Sequence, residues 1–155
     1  MSKTDTIDHV LTSALRSQMP LAATMKVSAI EGTVDRVTTT ASWDAEFCGS
    51  GGVLHGGYLM ALADGTGATL AFLNLDQGSS TTTVESKTNF FRPVTRGDVR
   101  ATSSMVHRGR TTIVVQTDIT NDSGTLVCRT SQTQIIRRQP NSDTATTNQS
   151  KGSTS

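Results

Sequence analysis

Aromatic residues are scarce in this chain of 155: one Trp, one Tyr and four Phe amount to 4 % of it. With AVILMFWYC at only 34 %, a core has to be built from small side chains and threonine-rich strands. There are two cysteines, Cys48 and Cys128, far apart and outside any CxxC or His/Cys ligand spacing. That pattern excludes a disulfide framework and a zinc site and fits a reduced, cytoplasmic protein. A formal charge of +1 excludes a general nucleic-acid surface, which would be strongly basic. No apolar run is long enough to span a bilayer, and Met1-Ser2-Lys3-Thr4 lacks the basic-then-apolar order of a signal peptide. The expectation is a protein with no nucleic-acid or membrane partner, no metal and no cofactor, and by length a single domain.

What the chain does have is one long helical stretch, residues 51–72. Leu59, Leu62, Ala63, Thr66 and Leu70 recur at the spacing of a helix buried on one side. Asp64 lies inside that run, about two turns from its glycine-rich start and too deep to cap the helix. Gly65 and Gly67 each cost roughly 1 kcal/mol relative to alanine in a helix interior, so something approaches closely there: a wrapped sheet, a second copy of the helix, or a ligand. The glycines around His55 leave the first backbone N–H groups open to a carbonyl or an anion. The stretch thus offers donors at one end and an acid in its middle.

Around it, residues 5–19 read as an amphipathic helix with Ile7, Val10, Leu11, Ala14 and Leu15 on one face, a cap at Thr4 or Thr6 and an end at Pro20. His9 on its surface carries no role. Two β-branched runs, 25–30 and 33–43, read as strands around Gly32, and 44–52 as a loop. Cys48 in that loop lies near His55, but no base is fixed by spacing and a small buried hydrophobe is the simpler reading. After the helix come strands at 80–92, 99–107, 111–119 and 126–136, the last two joined through Asn121-Asp122-Ser123-Gly124. Glu85 and Lys87 read as members of a cross-strand ion pair. One central helix with about six strands, four of them consecutive, predicts an α+β fold with an antiparallel sheet curled around the helix. Residues 139–155 have Ala145 as their only AVILMFWYC member and read as a disordered polar tail, leaving 1–19 as an N-terminal helix and 20–138 as the body.

Val53-Leu54-His55-Gly56-Gly57, the acid at Asp64, Asn89-Phe90-Phe91-Arg92-Pro93-Val94 and Gly97-Asp98-Val99 together resemble the hotdog-fold acyl-CoA thioesterases. The branch they resemble contains the phenylacetate-pathway and a bacterial 4-hydroxybenzoyl-CoA thioesterase. Val106 to Thr112 and Asp122 to Cys128 carry the likeness on, over roughly residues 20–138. The resemblance implies a hotdog dimer or dimer of dimers (a homotetramer) with composite sites at the dimer interface. Gly56 N–H would polarise the thioester carbonyl, His55 would stand beside it, Asp64 of the neighbouring chain would be the catalytic carboxylate, and Thr83 would orient water, with Thr82 nearly as well placed. Relatives often carry Asn or Gln six residues before the histidine; here that position is Gly49, flanked by Ser50. The substrate-contacting set implied is Ser50, Gly57, Tyr58, Phe91, Arg92, Arg108, Arg110 and Thr111. Tyr58 and Phe90-Phe91 would line an aromatic pocket or belong to the core. Arg92, Arg108, Arg110, Arg137 and Arg138 are the candidates for coenzyme A phosphates. The substrate implied is an aryl- or medium-chain acyl-CoA. A non-catalytic acyl-CoA binder is the alternative, and a hotdog hydratase, which needs Asp then His five apart, finds no match.

Overall fold

A computed structural model describes residues 6–138; the tail read at 139–155 and the candidate cap Thr4 lie outside them. Helix α1 (His9–Gln18) is capped by Asp8, whose Oδ1 accepts from Leu11 N at 2.9 Å. Asp8, two residues beyond the candidate Thr6, has the extended backbone and the carboxylate that reaches the third helical N–H. Val10 points outward, 83 % exposed, and the buried face is Thr12 and Leu15. Thr12 belongs there because its Oγ1 accepts from Ala29 N at 2.8 Å. Pro20 ends α1 and also opens a second short helix, α2 (Pro20–Thr24), where its missing N–H costs nothing. That helix was not legible in the sequence. Lys26, with φ 57°, then turns the chain into β1 (Ser28–Gly32), which starts later than its β-branched run suggested.

β2 (Arg36–Ser42) pairs with β1, and after the turns at Ala45–Phe47 and Ser50–Gly52 the chain enters the central helix α3 (Gly56–Phe72). Then follow β3 (Ser79–Phe90), β4 (Asp98–Arg108), β5 (Thr112–Asn121) and β6 (Leu126–Arg138). All pairings are antiparallel, in the order β1-β2-β4-β5-β6-β3. α3 packs against β2, β3, β4, β5 and β6, so the α+β expectation holds.

Leu59 and Leu62 of α3 meet Val99, Ile119 and Val127 in one core cluster, and Leu70 and Ala71 meet Val37, Ile113 and Val115 in another. Few large side chains are available, and buried hydroxyls fill the rest in pairs: Thr39 with Thr66 at 2.7 Å and Ser103 with Thr117 at 2.6 Å. Pairing removes the cost of burying a lone hydroxyl. Gly67 is explained by the sheet. A Cβ there would run into Gln132 Oε1 and lie 3.0 Å from Val115 Cγ2. Gly65 is not explained that way, because a Cβ on it would meet only Met19, at an ordinary 3.8 Å.

Candidate active site

The start of α3 is pinned from outside. His55 N donates to Phe47 O and Leu54 N to Val94 O, both at 2.9 Å, which fixes where the first free N–H groups point. His55 is the N-cap: its Nδ1 accepts from Gly57 N at 2.9 Å. With Nδ1 accepting, the neutral ring carries its proton on Nε2. Gly57 N–H is thereby occupied. Gly56 N–H, at the first helical position, has no intrahelical acceptor and no partner among the described residues. The ring of Phe90 stands over Gly56, 3.2 Å from where a Cβ would be. Phe90, Phe91 and Arg92 then wall an open groove of about 340 Å³.

Asp64 sits in a different environment. Its Oδ1 accepts from Thr83 Oγ1 at 3.2 Å and, in a very short contact, from Gln132 Nε2. Thr83 Oγ1 accepts in turn from Gln134 Nε2 at 2.8 Å and Gln132 Nε2 at 3.1 Å. One hydroxyl has one proton, and here it goes to the carboxylate. Thr83 therefore holds Asp64 in this arrangement; the orienting of water is what the family resemblance implied for it. Oδ2 of Asp64 makes no hydrogen bond among the described residues.

The aim of Thr83 comes from a β-bulge. The register of β3 against β6 slips between Thr83 and Glu85, leaving Val84 as the extra residue. Thr81 and Thr83 face inward before it, Ser86 and Thr88 after it, so Glu85 and Lys87 turn outward. The ion pair read for those two is absent: neither has a partner among the described residues. Both are exposed on an edge strand, where charge discourages unwanted pairing.

Gln132 and Gln134 are each 1 % exposed and were missed in the sequence. The signal was present: Thr130, Gln132 and Gln134 fill alternate, inward positions of β6 where apolar side chains are expected. The carboxylate of Asp64 dictates which way the Gln132 amide faces. Its Oε1 is left buried against Gly67, without a partner among the described residues.

The two stations are far apart within one chain. Gly56 and Asp64 lie eight residues apart on one helix, about 12 Å at 1.5 Å per residue, and hydrogen bonds reach only about 3 Å. Within one subunit the donor and the acid are therefore separate stations.

The remaining candidates are scattered. Ser50 is exposed in its turn, and Gly49 N donates to Val53 O at 2.9 Å. Tyr58 is in the core, stacked on Phe47 at 4.7 Å with its hydroxyl donating to Met25 O, so it lines neither station. Burial pushes that phenol up to about 12. Arg92 donates to Leu126 O at one end of the sheet. Arg108, Arg110, Arg137 and Arg138 gather at the opposite end, where the end of β4, the start of β5 and the end of β6 adjoin. Arg108 donates to Asn74 O at 2.9 Å and Arg138 lies 3.7 Å from Asp76. Thr111 and Arg110 are exposed in the turn between them. Cys48 makes a weak bond to Asp44 O. Burial, then Asp118, pushes the Cys128 thiol up to about 11, so it is inert. Among the described residues no His, Cys, Asp or Glu group is arranged to hold a metal ion, and no helix is long and apolar enough to cross a membrane.

Residues 51–128, half of the chain, match the thioesterase superfamily, and the stretch runs from the glycines before His55 to Cys128. The chain belongs to that superfamily, and its fold is the hotdog. ComA2 of Bacillus subtilis, named as a candidate esterase, is 32 % identical over 110 residues, which is 70 % of this chain and 86 % of that protein. Other candidate esterases match over less. One from Saccharolobus solfataricus is 34 % identical over 59 % of this chain and 64 % of its own length. One from Haemophilus influenzae is 36 % identical over 50 % and 56 %. The chain thus spans somewhat more than half the length of these two relatives. Among solved structures, a thioesterase from Haemophilus influenzae superposes with a TM-score of 0.78 at 28 % identity, covering 88 % of this chain and 94 % of that one.

Proposed function

We propose that the protein is an acyl-CoA thioesterase, active as a dimer or dimer of dimers, in which Gly56 of one subunit and Asp64 of the partner subunit serve one site. The observation that carries this reading is the half-buried carboxylate of Asp64, held by Thr83 and Gln132 with Oδ2 left free. A protein that merely bound acyl-CoA would have no use for an acid oriented so tightly at that depth.

Attack on a thioester carbonyl puts negative charge on its oxygen. The free N–H of Gly56 would receive that charge, a contribution of about 3 kcal/mol for one preorganised donor. Oδ2 of Asp64 would take a proton from the attacking water, and collapse of the tetrahedral intermediate would expel the coenzyme A thiolate, which is then protonated. The alternative is attack by Oδ2 itself, giving a mixed anhydride that water opens. Asp is short and its Oδ1 is tethered, which favours the base. Single turnover in heavy-oxygen water tests the nucleophile: label in Asp64 requires an anhydride opened at the Asp64 carbonyl, whereas label in the free acid arises from direct attack by water or from an anhydride opened at its acyl carbonyl. The superfamily membership supports a thioester substrate, and the resemblance to the aryl-CoA branch supports an aryl- or medium-chain acyl group on it.

Thiol release from a panel of aryl- and straight-chain acyl-CoAs tests the proposal. Turnover lost in Asp64→Asn is the expected result. Tight binding of every acyl-CoA with no thiol released would make the protein a binder.

A further inference from the structure

Beneath the helical hairpin α1-α2 lies a cavity of about 310 Å³, walled by Leu15, Met19, Leu21 and Met25 from the N-terminal segment and by Ala61 and Asp64 of α3. Resting on the thioesterase reading, we propose that this cavity takes the acyl chain, and that the substrate class is a saturated medium-chain acyl thioester rather than an aryl one. Three observations carry it. The cavity reaches Asp64, where the reacting carbon has to lie. Its wall is apolar apart from Asp64 and two threonines that bond to each other and to the helix: Thr66 donates to Leu62 O and Thr39 pairs with Thr66, each at 2.7 Å. Gly65 lines it one residue beyond Asp64, and packing within the chain does not require a glycine there, because a Cβ would stand 3.8 Å from Met19 Sδ. The glycine keeps the cavity wide beside the acid.

Size sets the chain length. A cavity of about 150 Å³ holds the six carbons of benzene, so twice that volume takes about twelve, or about eight to twelve allowing for an open mouth. Met19 and Met25 suit a flexible chain, because an unbranched thioether adapts to irregular apolar shapes.

The test compares kcat/KM for straight-chain acyl-CoAs from C4 to C16 with benzoyl- and 4-hydroxybenzoyl-CoA, in wild type, Ala61→Leu and Gly65→Ala. The expected result for wild type is a rise of up to about fourfold per added methylene that breaks near C12, with both aryl substrates well below the maximum. Ala61→Leu should bring the break about three carbons earlier and lower the dodecanoyl-to-hexanoyl ratio at least about tenfold. Gly65→Ala removes no contact and should shift the break by about one carbon in a protein at least as heat-stable as wild type. An aryl optimum, or one chain-length profile in all three proteins, overturns the proposal. So does an unchanged profile with an altered dimer mass, which would give the cavity to a second copy. Calorimetric binding of decanoate and decanoyl-CoA keeps the two readings apart. Chain-length-dependent binding that Ala61→Leu weakens, with no turnover of any thioester, would uphold the cavity and reject the hydrolase; no such binding would reject the cavity.

Discussion

At Gly56, α3 presents a backbone donor with little around it but the ring of Phe90; eight residues on, at Asp64, the same helix presents an acid ringed by side chains from two strands. The donor needs only a helix start, a cap and a residue without a side chain. The acid needs Thr83 from β3, Gln132 and Gln134 from β6, and a bulge to bring Thr83 to face it. The first is local architecture, and the second exists only after the sheet has closed on the helix. About 12 Å of helix separates them, so the account requires two subunits to make one site.

Breaking the acid should have the largest effect. Asp64→Asn keeps the volume but has no base, and kcat should fall about 10²–10⁴-fold with the thermal midpoint near that of wild type. Activity within tenfold of wild type would reject the assignment. Breaking the donor comes next. Gly56→Pro deletes the N–H at the one helical position that tolerates proline, and His55 at ψ 136° already has the backbone a following proline demands. The Phe90 ring must yield a few tenths of an ångström. Expected is a loss of about 10²–10³-fold in kcat with the helix intact by circular dichroism; full activity would place the carbonyl elsewhere.

Loosening the acid without removing it is a gentler probe. Gln132→Leu should lower kcat about tenfold, because Asp64 loses a donor that holds it. On the Asp64→Asn background the same change should cost nothing more. Additive losses in that double-mutant cycle would mean that Gln132 acts on the substrate independently. Smallest is the cap: His55→Ala removes the acceptor for Gly57 N–H and should cost about 1 kcal/mol, a drop in thermal midpoint of about 2–4 °C by calorimetry. A collapse of kcat without that drop would make His55 a participant in the chemistry.

The same contrast explains how far the sequence could be read. The donor station was legible, because glycines before a helix signal open N–H groups locally. Asp64 was legible as an anomaly, a carboxylate within an apolar stripe. Its holders were not. Gln132 is 68 residues away, and its inward aim follows from the register of β6. Glu85 and Lys87 were read onto a pairing face because nothing in the sequence announces Val84 as the bulge. The antiparallel strands around α3 followed from periodicity, whereas their order in the sheet did not. Nor did α2, because Pro20 reads equally as the end of one helix and the start of the next.

The shared site is tested most directly by combining the two lesions. Gly56→Pro and Asp64→Asn proteins, each nearly inactive, are unfolded, mixed in equal amounts and refolded, with subunit exchange verified by a tag on one of them. Random pairing makes half the dimers mixed, and in each of these one site carries both lesions and the other neither. The account predicts recovery of about a quarter of wild-type activity. No recovery, with exchange verified and dimers formed, would mean that donor and acid belong to one chain's site, contradicting the account at its centre.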